Sequence, residues 1–148
     1  TLLYTLPGIP SIYYGSEWGI EGRKEGGNDD PLRPALNLAE MEEKYKDCQL
    51  TEHIRMLGRL KKELSPLSEG KYRELLLTNR QYSFARIQDD KAVIVAVNND
   101  ENPAHVSIPV PAGGNAVNAV TGEPVNVENG RINAELSPAG SLIVSVNI

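Results

Sequence analysis

Val93-Ile94-Val95-Ala96-Val97 is an apolar run with no polar interruption. A strand that faces water on one side alternates apolar with polar residues, so an unbroken β-branched run reads as a strand covered on both faces, at the centre of a sheet. Working outward, the segments Glu74 to Thr78, Tyr82 to Ile87, Ala92 to Val97, His105 to Val110, Ala116 to Val120, Pro124 to Val127, Ile132 to Leu136 and Leu142 to Val146 all read as short strands. Turn formers separate them at Asn79-Arg80, Asp89-Asp90, Asn99-Asp100, Gly113-Gly114, Thr121-Gly122, Asn129-Gly130 and Ala139-Gly140. Such regular punctuation predicts an all-β antiparallel sandwich, Greek-key-like, over residues 72–148. Asn129-Gly130 is the strongest hairpin signal, because both residues tolerate the positive φ of a type I′ turn.

The period changes upstream of Tyr72. Ile54, Leu57, Leu60 and Leu64 recur at helical spacing, with Thr51 placed to cap the helix, Glu52 to favour its positive end and Ser65-Pro66 to stop it. Arg55, Arg59, Lys61 and Lys62 fall mostly off that stripe and read as its solvated face. Asn37 and Glu40 form an N-cap pattern for a shorter helix ending near Lys46, with Leu38, Met41 and Tyr45 on one side. From Gly19 to Pro34 the cluster Gly26-Gly27-Asn28-Asp29-Asp30-Pro31 predicts a long loop. Before it, Pro7 and Pro10 restrict the backbone, Ile12, Tyr13 and Tyr14 favour a short strand over Ser11 to Tyr14, and Gly15 and Gly19 release the chain into a turn. Thr1 to Leu6 reads as a helix tail. The fold class is therefore α+β, with a helical portion over 1–67 and a sandwich over 72–148.

Composition narrows the function. The 148 residues carry a formal charge of -5, with 40% hydrophobic and 24% charged residues. That balance lacks the basic footprint of a nucleic-acid partner, and no apolar run approaches the roughly 20 residues of a membrane-spanning helix. The single Cys48 has no partner for an internal disulfide. His53 and His105 have no neighbour at metal-ligand spacing, and Asn28-Asp29-Asp30 matches no calcium loop. No nucleophile elbow, phosphate loop or dinucleotide fingerprint occurs. The acidic residues Glu17, Glu21, Glu25, Asp29 and Asp30 lie in a loop and Glu40 to Glu43 on a helix surface, so none is assigned a catalytic role, and no metal or cofactor is assigned. Tyr82 and Phe84 share one face of one strand, which serves either a core or an exposed platform for sugar rings.

Gly8-Ile9-Pro10-Ser11-Ile12-Tyr13-Tyr14-Gly15-Ser16-Glu17, entered through Leu6-Pro7-Gly8, resembles the eighth barrel strand of the α-amylase family of glycoside hydrolases. Arg59 to Leu67 is similar to that family's last barrel helix, and Asp30-Pro31-Leu32-Arg33-Pro34 to its loop with Asp-Pro and Arg, although the Trp usually found after that Arg is absent. Val120 to Val125, Gly130-Arg131 and Leu136 to Gly140 resemble the antiparallel domain that follows the barrel. The resemblance implies that 1–67 is the end of a TIM (β/α)8 barrel and 72–148 the C-terminal sandwich, on the neopullulanase, cyclomaltodextrinase and oligo-glucosidase side of the family. It implies a parent enzyme that cleaves α-glucosidic bonds in an α-glucan or maltooligosaccharide with retention, using three carboxylates whose motifs do not occur here. Substrate contacts are then expected at Tyr14, Glu17, Trp18 and Arg33, with Tyr14 alternatively a packing residue and Glu17 a loop anchor. Calcium is allowed in the parent enzyme.

A non-catalytic carbohydrate-binding or protein-interaction module on an amylase-like scaffold remains open, because the deciding carboxylates lie outside these residues. The opening Thr1-Leu2-Leu3-Tyr4, without an initiator Met, reads as the start of a fragment. Such a fragment is expected to expose Ile12, Tyr13, Leu57, Leu60 and Leu64 and to be disordered before Leu67 or ordered by self-association. Cellular compartment is left open by the sequence.

Overall fold

Each of the eight apolar runs becomes a strand in the computed structural model, which describes residues 1–111 and 114–147. They are β1 (Lys71–Leu77), β2 (Gln81–Gln88), β3 (Lys91–Asn98), β4 (Ala104–Pro109), β5 (Ala116–Asn118), β6 (Pro124–Val125), β7 (Arg131–Leu136) and β8 (Ser141–Asn147). A larger antiparallel sheet has the order β1-β2-β3-β8-β5-β6, and a smaller one pairs β4 with β7. The chain leaves the larger sheet after β3 for β4, returns to it for β5 and β6, leaves again for β7 and ends in β8, which pairs with β3 from Lys91↔Asn147 to Val97↔Ser141. β5 stops short of the expected Val120 because the Asn118 side chain accepts hydrogen bonds from the Val120 and Thr121 amides and turns the chain. The expected turn at Gly113-Gly114 lies partly outside the described residues, since Gly113 is not among them.

The unbroken run in β3 is explained by burial on both sides. Ala92, Ile94 and Ala96 enter the sandwich core with Ala85, Val144 and Val146 and with Val106, Ile108, Ile132 and Leu136 of the smaller sheet. Val93 and Val95 are equally buried, and strand alternation aims them at the opposite face. There the short helix α4 (Ser65–Glu69), counted after α1 (Leu2–Thr5), α2 (Leu38–Lys44) and α3 (Gln49–Glu63), packs on β2 and β3. Leu57 and Leu60 of α3 and Leu67 of α4 are buried.

On the same face Arg86 is buried, with no carboxylate paired to it among the described residues. Its Nε and Nη2 donate to the Gly70 carbonyl at 3.1 and 2.9 Å, and its Nη1 donates to the Thr5 carbonyl at 3.1 Å. Gly70 is the C-cap of α4 and Thr5 the last residue of α1. Helix carbonyl ends carry partial negative charge, so these two termini supply the counter-charge that an acidic side chain would otherwise provide.

Sequence and structure part at four places. α4 was not foreseen, because Ser65-Pro66 reads as a stop; Pro66 instead occupies the first turn of a new helix, where its missing N–H costs nothing. α3 begins at Gln49, before the expected cap Thr51, whose hydroxyl is engaged elsewhere. Ser11 to Tyr13 has no regular structure, Tyr14 begins a turn, and among the described residues this segment pairs with no strand, since a strand needs a neighbour to accept its backbone hydrogen bonds. Leu57 and Leu60 are buried and Leu64 half-buried, against the exposure expected of them, because the helical layer on β2 and β3 gives them an apolar environment. Tyr13 is exposed as expected, and Ile12 is half-buried.

Two compact units result, dividing the chain differently from the expected spans. One comprises Thr1–Pro10 with residues from Leu57 onward, and the other Ser11–Met56. The second contains two short 3-10 turns (Ser16–Trp18 and Asp30–Leu32), α2 and the first part of α3. Its long loop closes locally, with a Glu25↔Asn28 bridge and a 2.9 Å ion pair between Lys24 and Asp29. Asn37 caps α2 as its sequence context predicts, its side chain accepting from the Ala39 and Glu40 amides at 3.1 and 3.4 Å.

Candidate functional site

Gly15 sits at φ +87°, a conformation few other residues adopt, and turns the chain into the Ser16–Trp18 segment. The loop is fastened there by α3: the Thr51 hydroxyl donates to the Glu17 main-chain carbonyl at 2.6 Å, and the Cys48 thiol lies 3.9 Å from the same oxygen. This places Trp18 against Tyr45, just beyond α2, with ring centroids 6.1 Å apart and planes only 19° from parallel. Lys44 Nζ lies 5.0 Å from the Tyr45 centroid, within cation–π range. Glu17, Trp18, Tyr45, Thr51, Ile54 and Arg55, together with Glu42 and Lys46, line a cleft of about 430 Å³. Oε2 of Glu17 is buried and has no hydrogen-bond partner. The cations are already engaged, Arg55 with Glu52 and Lys46 with Glu43.

Tyr14 and Arg33 form a separate pair. The Tyr14 hydroxyl donates to the Pro34 carbonyl at 3.2 Å, and its ring leans on Tyr13 at 4.8 Å. Desolvation, and then the neighbouring Tyr13 phenol, push the Tyr14 hydroxyl above its ordinary pKa, while the Arg33 guanidinium pulls it the other way. The four expected contact residues thus divide into Glu17 with Trp18 in the cleft and Tyr14 beside Arg33. Sequence reasoning missed Tyr45 and Thr51 as cleft residues. Tyr45 was visible as a helix-face aromatic, but nothing in its spacing tied it to Trp18.

In the sandwich, Tyr72, Tyr82 and Phe84 form one cluster, with Phe84 fully buried and its centroid 5.7 Å from Tyr72 and 5.4 Å from Tyr82. The rings pack on one another, Phe84 in the core and Tyr72 and Tyr82 at its exposed rim. Burial, a hydrogen bond with the Tyr72 hydroxyl and the nearby Glu74 charge push the Tyr82 hydroxyl up to about 12. Among the described residues no group of three His, Cys, Asp or Glu is placed to hold a metal ion.

The sandwich matches the sequence family described as Neopullulanase-like, C-terminal domain, over residues 72–145. The chain belongs to this family. Its neopullulanase-like domain and the helical residues before it also align together with longer proteins. Over 144 residues the chain is 31% identical to neopullulanase 2 of Thermoactinomyces vulgaris, covering 95% of this chain and 23% of that protein. Over 145 residues it is 29% identical to a cyclomaltodextrinase of Geobacillus thermopakistaniensis strain MAS1, covering 96% and 24%. The chain therefore spans about a quarter of the length of either relative. The crystal structure of an Anoxybacillus α-amylase superposes with a TM-score of 0.80 at 24% identity, covering 99% of this chain and 30% of that one, a likeness of fold. The neopullulanase-like sandwich and the segment before it thus have the architecture found in α-amylase-family glycosidases.

Proposed function

We propose that the chain is the C-terminal portion of a retaining glycoside hydrolase acting on α-glucans or maltooligosaccharides, and that these residues lack its catalytic carboxylates. The observation that carries this reading is the continuity of two features: a neopullulanase-like sandwich over 72–145 and an alignment with neopullulanase 2 that covers 95% of the chain and so takes in residues before the sandwich. Retaining chemistry needs two carboxyls roughly 5 to 5.5 Å apart across the scissile bond. Among the described residues Glu17 is the one loop carboxylate with a buried unpartnered oxygen, and an unpaired acid suits a substrate contact better than a nucleophile. In this reading Tyr14, Glu17, Trp18 and Arg33 contact glucan, and calcium, where the parent protein uses it, is held by residues outside this chain.

Reducing-sugar release tests the proposal. The 148-residue chain is expected to release nothing from pullulan, cyclodextrin or starch, and a longer protein carrying it to release α-configured products. Release by the chain alone, lost on Glu17→Gln, overturns the assignment of catalysis to other residues. Products of inverted configuration from the longer protein overturn the retaining mechanism.

A further inference from the structure

We propose that Asn129-Gly130 is a self-modifying site, at which the turn between Glu128 and Arg131 converts Asn129 to aspartate and isoaspartate through a succinimide. No sugar and no second protein enters the reaction, so it stands independently of the glucan reading above.

Three observations select this pair. The first is the neighbour. Every other asparagine in the chain is followed by a residue with a side chain, whereas the amide nitrogen after Asn129 belongs to glycine and has no Cβ to shield it. The second is access. Both residues are exposed, and apart from the chain neighbours no heavy atom lies within 4 Å of the point where a Cβ on Gly130 would sit. The third is the freedom of the reacting groups. Among the described residues neither the Asn129 carboxamide nor the Gly130 N–H has a hydrogen-bond partner. By contrast, the Asn118 carboxamide oxygen accepts from the Val120 and Thr121 amides, and that of Asn133 from the Ser107 hydroxyl.

The chemistry balances with water as the one co-reactant. The Gly130 nitrogen gives its proton to a solvent base and bonds to Cγ of Asn129; the Cγ–Nδ2 bond breaks and ammonia leaves. Nucleophile and target belong to the same dipeptide, so a local rotation replaces a bimolecular encounter. Water then opens the five-membered ring. Attack at the side-chain carbonyl gives aspartate, and attack at the main-chain carbonyl gives isoaspartate, whose backbone runs through Cβ.

The fold sets the pace. A type I′ turn directs the following nitrogen away from Cγ, so the ring closes only when the turn opens. The paired Glu128 and Arg131 hydrogen bonds, both 2.9 Å, and the 2.9 Å bond from the Val110 amide to the Gly130 carbonyl hold it shut. An exposed hairpin tip opens locally far more often than the sheet behind it. Once isoaspartate has formed, its extra backbone atom lengthens a two-residue turn, and those three bonds cannot all be kept. The modification therefore loosens the start of β7 and its pairing with β4.

The full 148-residue chain is incubated in mildly alkaline buffer, with a mildly acidic sample beside it, and digested at intervals under acidic conditions for mass spectrometry. Exchange of NH for O is expected at Asn129 before any other asparagine, faster at the alkaline pH because the attacking nitrogen must lose its proton. Enzymatic methylation of the free α-carboxyl counts the isoaspartate. Gly130→Ala crowds the nitrogen and should slow the exchange about tenfold or more. Gly130 holds φ +72°, so that variant strains the turn. If it fails to fold, Asn129→Asp keeps an Asp-Gly turn and should show no exchange and release no ammonia at this site. Converted chains, separated by their added negative charge, should melt below both the parent and Asn129→Asp.

Exchange led by Asn129 and slowed in Gly130→Ala supports the proposal. Exchange led by another asparagine, an unchanged rate in Gly130→Ala, or no exchange in the folded chain overturns it. Converted chains as stable as Asn129→Asp overturn the loosening of β7.

Discussion

Arg86 carries more structure than its single position suggests. Three of its donors end on two carbonyls from the two chain segments that make up the larger compact unit, Thr5 and Gly70. The planar guanidinium serves both at once; an ammonium on a flexible stem does not. Arg86→Met leaves both carbonyls buried without a donor and is expected to cost about 3 kcal/mol of unfolding free energy, with Arg86→Lys recovering only a minor part. Urea denaturation measures both, and equal stability of the Lys variant and the parent would show that charge alone is needed. Tyr82 makes a pH prediction. Its folded-state pKa of about 12 lies above the roughly 10 of an unfolded tyrosine, so its contribution to stability is complete below pH 10 and is lost as pH climbs from 10 to 12. Tyr72→Phe removes the partner hydroxyl and should move the phenolate transition, followed at 295 nm, to lower pH. An unmoved transition would assign the shift to burial and the Glu74 charge.

At the level of elements, the strands were legible because period and punctuation agreed. Asn129 and Gly130 adopt φ of 51° and 72°, and the Glu128 and Arg131 amides exchange hydrogen bonds with each other's carbonyls at 2.9 Å, as the Asn-Gly pair predicts. The turn at Ala139-Gly140 was equally visible, but its chemistry is less favourable. Ala139 holds φ +50°, a left-handed conformation in which its Cβ is crowded, whereas at Gly140 an added Cβ would come within 2.8 Å of the Ser137 carbonyl oxygen. Ala139→Gly should therefore stabilise the protein by about 0.5 kcal/mol, the relief of strain exceeding the added freedom of the unfolded chain. Thermal unfolding is the measurement, and a lowered midpoint would mean that the methyl group contributes packing that outweighs the strain. What the sequence concealed was of another kind. Pro66 is compatible with both a stop and a start, and only the presence of β2 and β3 beneath it decides for a second helix. The cleft was half legible: Glu17 and Trp18 stand next to each other in the chain, but Tyr45 and Thr51 reach them only through the fold of Ser11–Met56.

At the scale of the molecule, the larger sheet is covered twice, by a second sheet on one face and by helices on the other. The helical cover begins at Leu57, well before the first strand. A shortened chain starting at Tyr72 loses Leu57, Leu60 and Leu67 and opens the face that carries Phe84, Val93 and Val95. It is expected to retain its strands by circular dichroism, to bind 8-anilinonaphthalene-1-sulfonate and to unfold at lower urea than the full chain. Equal midpoints would show that the sandwich core alone sets the stability.

The bridge made by Arg86 also acts on the chain between the carbonyls it joins. Thr5 and Gly70 are fixed to one side chain, so everything from Ser11 to Met56 is a loop whose ends are already tied, as a covalent crosslink would tie them. The entropy of closing a flexible loop grows only as the logarithm of its length, so each doubling costs about 0.6 kcal/mol. Insertions or deletions in the irregular stretch from Gly19 to Leu36 are then nearly free for the rest of the protein. The segment that carries Glu17 and Trp18 is the part of the chain most at liberty to change length.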